Sequence, residues 1–319
     1  MTDLAWGVAL VVAVGAIVWG AESFAEHLSA ASVRLGVSAF ALALLLAGAE
    51  PEELATAVVA AVRKAPAVAL GDVVGANVAA CLVALGVGAL VAPLPFGRRV
   101  RRYAFLGIPA GITAVAFLWD GRVGRVEGAV LVALYIGYVG AVWLAERAPP
   151  ALGEAEDLVA AREQQARGVS ARVGRDLALL LAGVVAMAAG ATLLVEAVRR
   201  ITTVESTQTE LSLTLVGFVT AFELVVLAWS AARRGATEAV VAAVVGSVAY
   251  NATMTLGAAA IVRPLRIVDS TALHGPAVAM LVAWALVAVV GAVAGRLRRP
   301  EGLVFLASYG AFVVYVVLR

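Results

Sequence analysis

The chain reads as an all-α polytopic membrane protein: ten transmembrane helices forming two inverted five-helix repeats, with helices 2 and 7 broken. Three observations lead there. The composition is 63% apolar and 14% charged, with a mean hydropathy of +0.98. An ordinary soluble domain is roughly 45–50% apolar and 25% charged, so this chain has too little polar surface to face water. Apolar runs near the ~20 residues a spanning helix needs recur ten times. Lastly, two acids embedded in those runs, Glu53 and Glu223, lie 170 residues apart in a chain of 319.

Taken in order, the spans begin with residues 4–21. Met-Thr-Asp ahead of them lacks the basic stretch of a cleaved signal peptide, so this span is expected to be retained. Residues 35–61 and 66–91 exceed a simple crossing, which fits tilt or a break in mid-span. Spans 103–119 and 126–144 complete the first repeat, 1–145. The segment 146–176 is polar, with Pro149, Pro150, Gln164 and Gln165, and is expected to be a linker. The second repeat, 177–319, holds spans 177–198, 211–232, 238–262, 275–295 and 302–318. Five is odd, so the second repeat enters the membrane upside down relative to the first. Other landmarks keep the same spacing: Gly20-Ala21 with Gly190-Ala191 at 170, and Gly75 with Gly246 at 171.

Loop charge sets the orientation, because cytoplasmic loops are enriched in Lys and Arg. Loops after odd-numbered spans hold 15 basic residues, including Arg98, Arg99, Arg101 and Arg102, and the opposite side holds 9. The expectation is a multi-pass protein of the cell (inner) membrane, with both termini outside and the linker cytoplasmic. The lone Cys81 excludes an internal disulfide, and His27 and His274 are too far apart in the chain to suggest a metal centre. No HExxH, GxSxG or nucleotide loop occurs, so an enzyme is not expected. Nor does the scattered charge suggest nucleic acid. The expected partners are inorganic cations and the lipid bilayer.

The chemistry concentrates in Leu44–Leu54, LLLAGAEPEEL, which sets Gly48, Glu50, Pro51, Glu52 and Glu53 inside an apolar run. A carboxylate at bilayer depth costs several kcal/mol unless partnered. Pro51 interrupts the helix there, and freed carbonyls beside carboxylates are how many transporters build a cation site. Gly217–Leu224, GFVTAFEL, repeats the pattern around Glu223.

These residues resemble the cation/calcium exchanger superfamily, in its prokaryotic sodium/calcium exchanger branch. That family carries a GTSLPEL-like break followed by a GNxxGSNxxN-like segment in each repeat. Here they read GAEPEEL (Gly48–Leu54) with GDVVGANVAA (Gly71–Ala80), and FVTAFEL (Phe218–Leu224) with VAAVVGSVAYN (Val241–Asn251). The resemblance implies that Glu53 and Glu223 bind the cation, helped by the Thr220 hydroxyl and by Ser247 and Asn251. Departures are also visible. Ala76 and Ala80 stand where the family has serine and asparagine ligands, Ala49-Glu50 replaces Thr-Ser, and Phe222 replaces a proline.

A hard divalent cation wants six or more oxygens. Glu53, Glu223 and Glu50 offer carboxylates, with Thr220, Ser247 and Asn251 beside them. Glu50 lies three residues from Glu53 on one helical face, so the two are expected to share protons. Glu52 points ~100° away and is expected to face solvent or act as a cap. Asp72 is expected at a rim or gate, and Asn77 in gating or interhelical packing. The function expected is secondary active cation antiport, Ca2+ exchanged for Na+ or H+ by alternating access, with no cofactor. The alternative is a non-transporting structural or regulatory paralogue whose ion site has decayed.

Overall fold

The computed structural model of the chain describes residues 3–35, 50–146, 173–233, 235 and 237–318. Among these, eight helices are long and apolar enough to cross a bilayer. Helices dominate because a backbone in lipid must satisfy its own hydrogen bonds. The first, α1 (Asp3–Leu35), runs well past the predicted end at residue 21. Next come α2 (Pro51–Val62) and α3 (Pro66–Ala79), each with a proline in its first turn, where a missing N–H costs nothing. Helix α3 passes through a π-helical turn, Ala80–Ala84, into α4 (Leu85–Val91). Then follow β1 (Leu94–Pro95), α5 (Arg98–Leu118), β2 (Arg122–Val123) and α6 (Arg125–Glu146).

The second half opens with α7 (Val173–Ile201). Next is a span made of α8 (Glu205–Leu211), a π turn (Ser212–Val216), α9 (Gly217–Thr220) and α10 (Phe222–Arg233), interrupted at Ala221. Helix α11 (Thr237–Tyr250) continues through a third π turn, Asn251–Thr255, into α12 (Leu256–Val262). The last elements are β3 (Leu265–Arg266), α13 (Thr271–Ala294), β4 (Arg296–Leu297) and α14 (Arg299–Val317).

Two of the ten predicted spans are not among the eight. Of span 35–61, only the twelve-residue α2 and Glu50 before it, besides Leu35 at the end of α1, fall within the described residues; residues 36–49, including Gly48 and Ala49, lie outside them. Helix α5 exists, but it starts at Arg98 rather than 103. The arginine cluster assigned to the preceding loop forms its first turn instead. Most of the linker, 147–172, also lies outside the described residues.

Packing follows the glycines. Helices α1 and α7 lie against each other along much of their length. A Cβ at Gly20 would sit 2.7 Å from the Gly183 carbonyl, and one at Gly190 would sit 2.7 Å from that of Ala13. Close crossings at small residues are the usual way apolar helices associate in lipid. Around the centre the contacts come in matched sets: α2 on α12 and α10 on α4, α6 on α12 and α14 on α4. Gly128 meets Gly257, and Gly86 meets Gly302. The short strands are matched as well, with β1 paired to β4 and β2 to β3. Both pairs join loops that the charge count had put on one side of the membrane.

Large apolar side chains such as Val11, Leu144, Leu181 and Val293 lie exposed on the outer helix faces. A soluble protein seldom leaves so much apolar surface bare; here it is a lipid-facing coat.

Candidate cation site

Helix α2 begins in the interior, where Glu50, Pro51, Glu52 and Glu53 are all buried. Glu50 has non-helical backbone (φ −111°, ψ 85°), and Pro51 starts the helix. The first turn therefore carries Glu52 and Glu53, where the helix dipole favours negative charge. Glu53 is 1% exposed, and among the described residues no group donates a hydrogen bond to either of its carboxylate oxygens. The charges acting on it are those of Asp72, Glu52 and Glu223. Glu223 opens α10 just past the interruption at Ala221 and is half-buried.

Asp72 was expected at a rim or gate, and burial excludes the rim: it lies 0% exposed on α3, where that helix crosses α9. The Thr220 hydroxyl donates to its Oδ1 at 2.8 Å, while Oδ2 receives no hydrogen bond. Only glycine permits this crossing. A Cβ at Gly71 would meet that of Ser212 at 2.6 Å, one at Gly217 would meet the Ala76 nitrogen at 2.5 Å, and one at Gly75 would collide with the Leu213 carbonyl.

Of the two placements expected for Glu52, solvent and cap, burial excludes solvent. Glu52 is buried, because α2 is enclosed by α1, α3, α7 and α12, and the ~100° that separates it from Glu53 turns it towards protein rather than water. It is also hydrogen-bonded to Glu50. Glu50, expected to pair with Glu53, is thus in contact with Glu52.

The neutral candidates divide. Asn251 lies at the start of its π turn and donates to the Val73 carbonyl at 3.4 Å, which fixes it beside Asp72's helix; its amide oxygen has no donor. Ser247, one turn earlier on α11, is buried with an unbonded hydroxyl. Asn77 turns towards α13, donating to the Met280 sulfur at 3.3 Å, and so serves packing at least in part. Thr56 and Thr255 have buried, unbonded hydroxyls that sequence reasoning missed. A threonine in a helix carries no signal by itself, since it can bond its own preceding turn.

Among the described residues, the buried charged side chains are Glu50, Glu52, Glu53, Asp72 and Asp176, all acidic. No three acidic, histidine or cysteine side chains among them meet at metal-binding distance. A cation here would need neutral oxygens beside the carboxylates. Hydroxyl and amide oxygens without donors suit that demand.

Comparison with known proteins decides the family. The sodium/calcium exchanger protein family matches residues 5–144 and 176–318. The chain belongs to that family. This sodium/calcium exchanger family member is 25% identical to the membrane protein MJ0091 of Methanocaldococcus jannaschii over 297 residues, covering 92% of this chain and 89% of the other. It is 35% identical to the sodium/calcium exchanger MaX1 of Methanosarcina acetivorans over 80 residues, 24% and 23% of the two chains. Its fold matches the solved sodium-calcium exchanger NCX_Mj, soaked with 10 mM Na+ and zero Ca2+, at a TM-score of 0.63 and 19% identity, over 98% of this chain and 99% of that one. The helical fold and multi-pass membrane character read from the sequence therefore stand.

Proposed function

We propose that the chain is a secondary active cation antiporter that exchanges Ca2+ for Na+ or H+ by alternating access. Glu53 carries the reading: a carboxylate buried inside a membrane protein, with no donor to either oxygen among the described residues and with acidic neighbours. Such a charge is stable only beside a cation or with a proton. Glu53 and Glu223 are the principal ligands, with Thr220, Ser247 and Asn251 supplying neutral oxygens and Glu50 at the edge. Family membership and the number of buried acids argue against a decayed, non-transporting paralogue.

The same reading takes residues 1–145 and 177–319 as two inverted five-helix repeats joined by a cytoplasmic linker at 146–176. Support comes from correspondences at one spacing. The π turns at Ala80 and Asn251 are 171 residues apart, as are β1 and β3, and Gly86 and Gly257. Inversion brings the two faces of one site to opposite sides of the membrane, the arrangement alternating access requires.

The test is 45Ca2+ uptake into proteoliposomes under an outward Na+ gradient, an outward H+ gradient, or neither. Uptake well above the no-gradient control is expected under at least one of them. No uptake under either, by protein that remains folded, would overturn antiport of calcium.

Topology has its own check. Cys81 is the one cysteine and is buried, so a cysteine introduced elsewhere reports without interference. One placed in the linker should be labelled only from the cytosol, and one at either terminus only from outside. The opposite pattern would reverse the orientation.

A further inference from the structure

We propose that Asp72 is itself a cation ligand, holding the ion together with Glu53 and Thr220 and replacing oxygens that Ala76 and Ala80 cannot supply. The inference rests on reading the chain as a cation antiporter, and adds a charged ligand from a helix where the resemblance implies only neutral ones.

Position is the first argument. Asp72, Ala76 and Ala80 are spaced by four, so they share one face of the continuous helix that runs from α3 into the π turn. The resemblance puts ligands at 76 and 80. Alanine offers no oxygen at either, and the carboxylate lies one turn earlier on the same face. This face meets α9, which brings Thr220 to 2.8 Å from Asp72 Oδ1.

Cost is the second. A hydroxyl satisfies one acceptor position of a carboxylate that has about four. Oδ2 is buried without a donor, and none of the buried charged groups among the described residues is basic. If Asp72 only pinned α9 to α3, an asparagine would accept the same bond without the burden of a buried charge. A carboxylate here is accounted for by a positive charge that comes and goes.

The repeat supplies the third. Shifting by 170 and 171 residues carries Glu50 onto Thr220 and Asp72 onto Ala243. Of the two related pairs of positions, one has its acid on the break (Glu50, with Ala243) and the other on the crossing helix (Asp72, with Thr220). Each pair carries one carboxylate, delivered from a different element.

The experiment measures 45Ca2+ binding at equilibrium on purified, detergent-solubilised protein, alongside melting temperature with and without Ca2+. Asp72→Asn keeps an acceptor for the Thr220 hydroxyl and removes the charge. It should weaken Ca2+ binding at least ten-fold and shrink the Ca2+-induced rise in melting temperature, while melting without cation is unchanged or higher. Thr220→Val, which releases the Asp72 carboxylate, should weaken binding by a smaller factor and guards against misfolding of the first variant. Wild-type affinity in Asp72→Asn, when Glu53→Gln has lost it, would make Asp72 a packing residue and overturn this inference alone. A wild type that binds no Ca2+ would overturn both it and the antiport reading.

Discussion

Glu53→Gln should abolish exchange. The substitution keeps the shape of the side chain and removes its charge from a position with 1% exposure and, among the described residues, no donor to either oxygen. Truncating one member of a buried charge pair typically costs 2–5 kcal/mol or more, and in this reading the other member is the transported ion. At roughly 1.4 kcal/mol per decade, gradient-driven 45Ca2+ uptake should fall about 100-fold or further. Glu223→Gln should fall similarly, though Glu223 is half-buried and its loss is expected to be the smaller. Without cation the Glu53→Gln protein should be at least as stable as wild type, because it removes a buried carboxyl group that no hydrogen bond among the described residues satisfies. Activity and stability thus move in opposite directions, which separates a lost ligand from a damaged fold. Wild-type uptake by folded Glu53→Gln would place the transport site elsewhere.

The parts of this site legible in the sequence were those where hydropathy and charge conflict. Glu53 and Glu223 stand out because nothing in an apolar run accounts for a carboxylate. Their equal spacing in the two halves is what suggests an inverted repeat. Depth was not legible. Asp72 lies only six residues into its helix, which by linear position suggests a rim; it is central because Gly71 and Gly75 let another helix cross there. The burial of Glu52 was not legible for a related reason: a helical wheel gives the angle between two side chains but not what lies opposite each, and α2 is enclosed on several sides. The π turns at 80–84 and 251–255 left no trace in composition, yet each begins at one of the two positions per repeat to which the resemblance assigns ligands, 80 and 251. Such turns recur at functional sites because they re-aim side chains within an otherwise regular helix.

Gly75→Val is expected to remove most of the folded protein. The Leu213 carbonyl occupies the space that a Cβ at position 75 would need, and one turn on, Gly217 packs on the backbone of Gly75 and Ala76. Carbonyl and backbone atoms cannot rotate away as a side-chain tip can, so helices α3 and α9 would have to separate. Overpacking in a fitted core costs about 1–3 kcal/mol and occasionally more, and here two branched methyl groups would be forced into a backbone-to-backbone crossing. The same separation would pull Thr220 from Asp72, so protein that survives should also bind cation poorly. Gly137→Val is the control: no atom lies within 4 Å of a Cβ there, so an added side chain on α6 meets open space. By size-exclusion of detergent extracts, Gly75→Val should lose the monodisperse peak, Gly75→Ala should lose part of it, and Gly137→Val should keep it. Equal recovery of Gly75→Val and Gly137→Val would mean that the two helices do not cross as closely as described, and the contact between Asp72 and Thr220 would go with it.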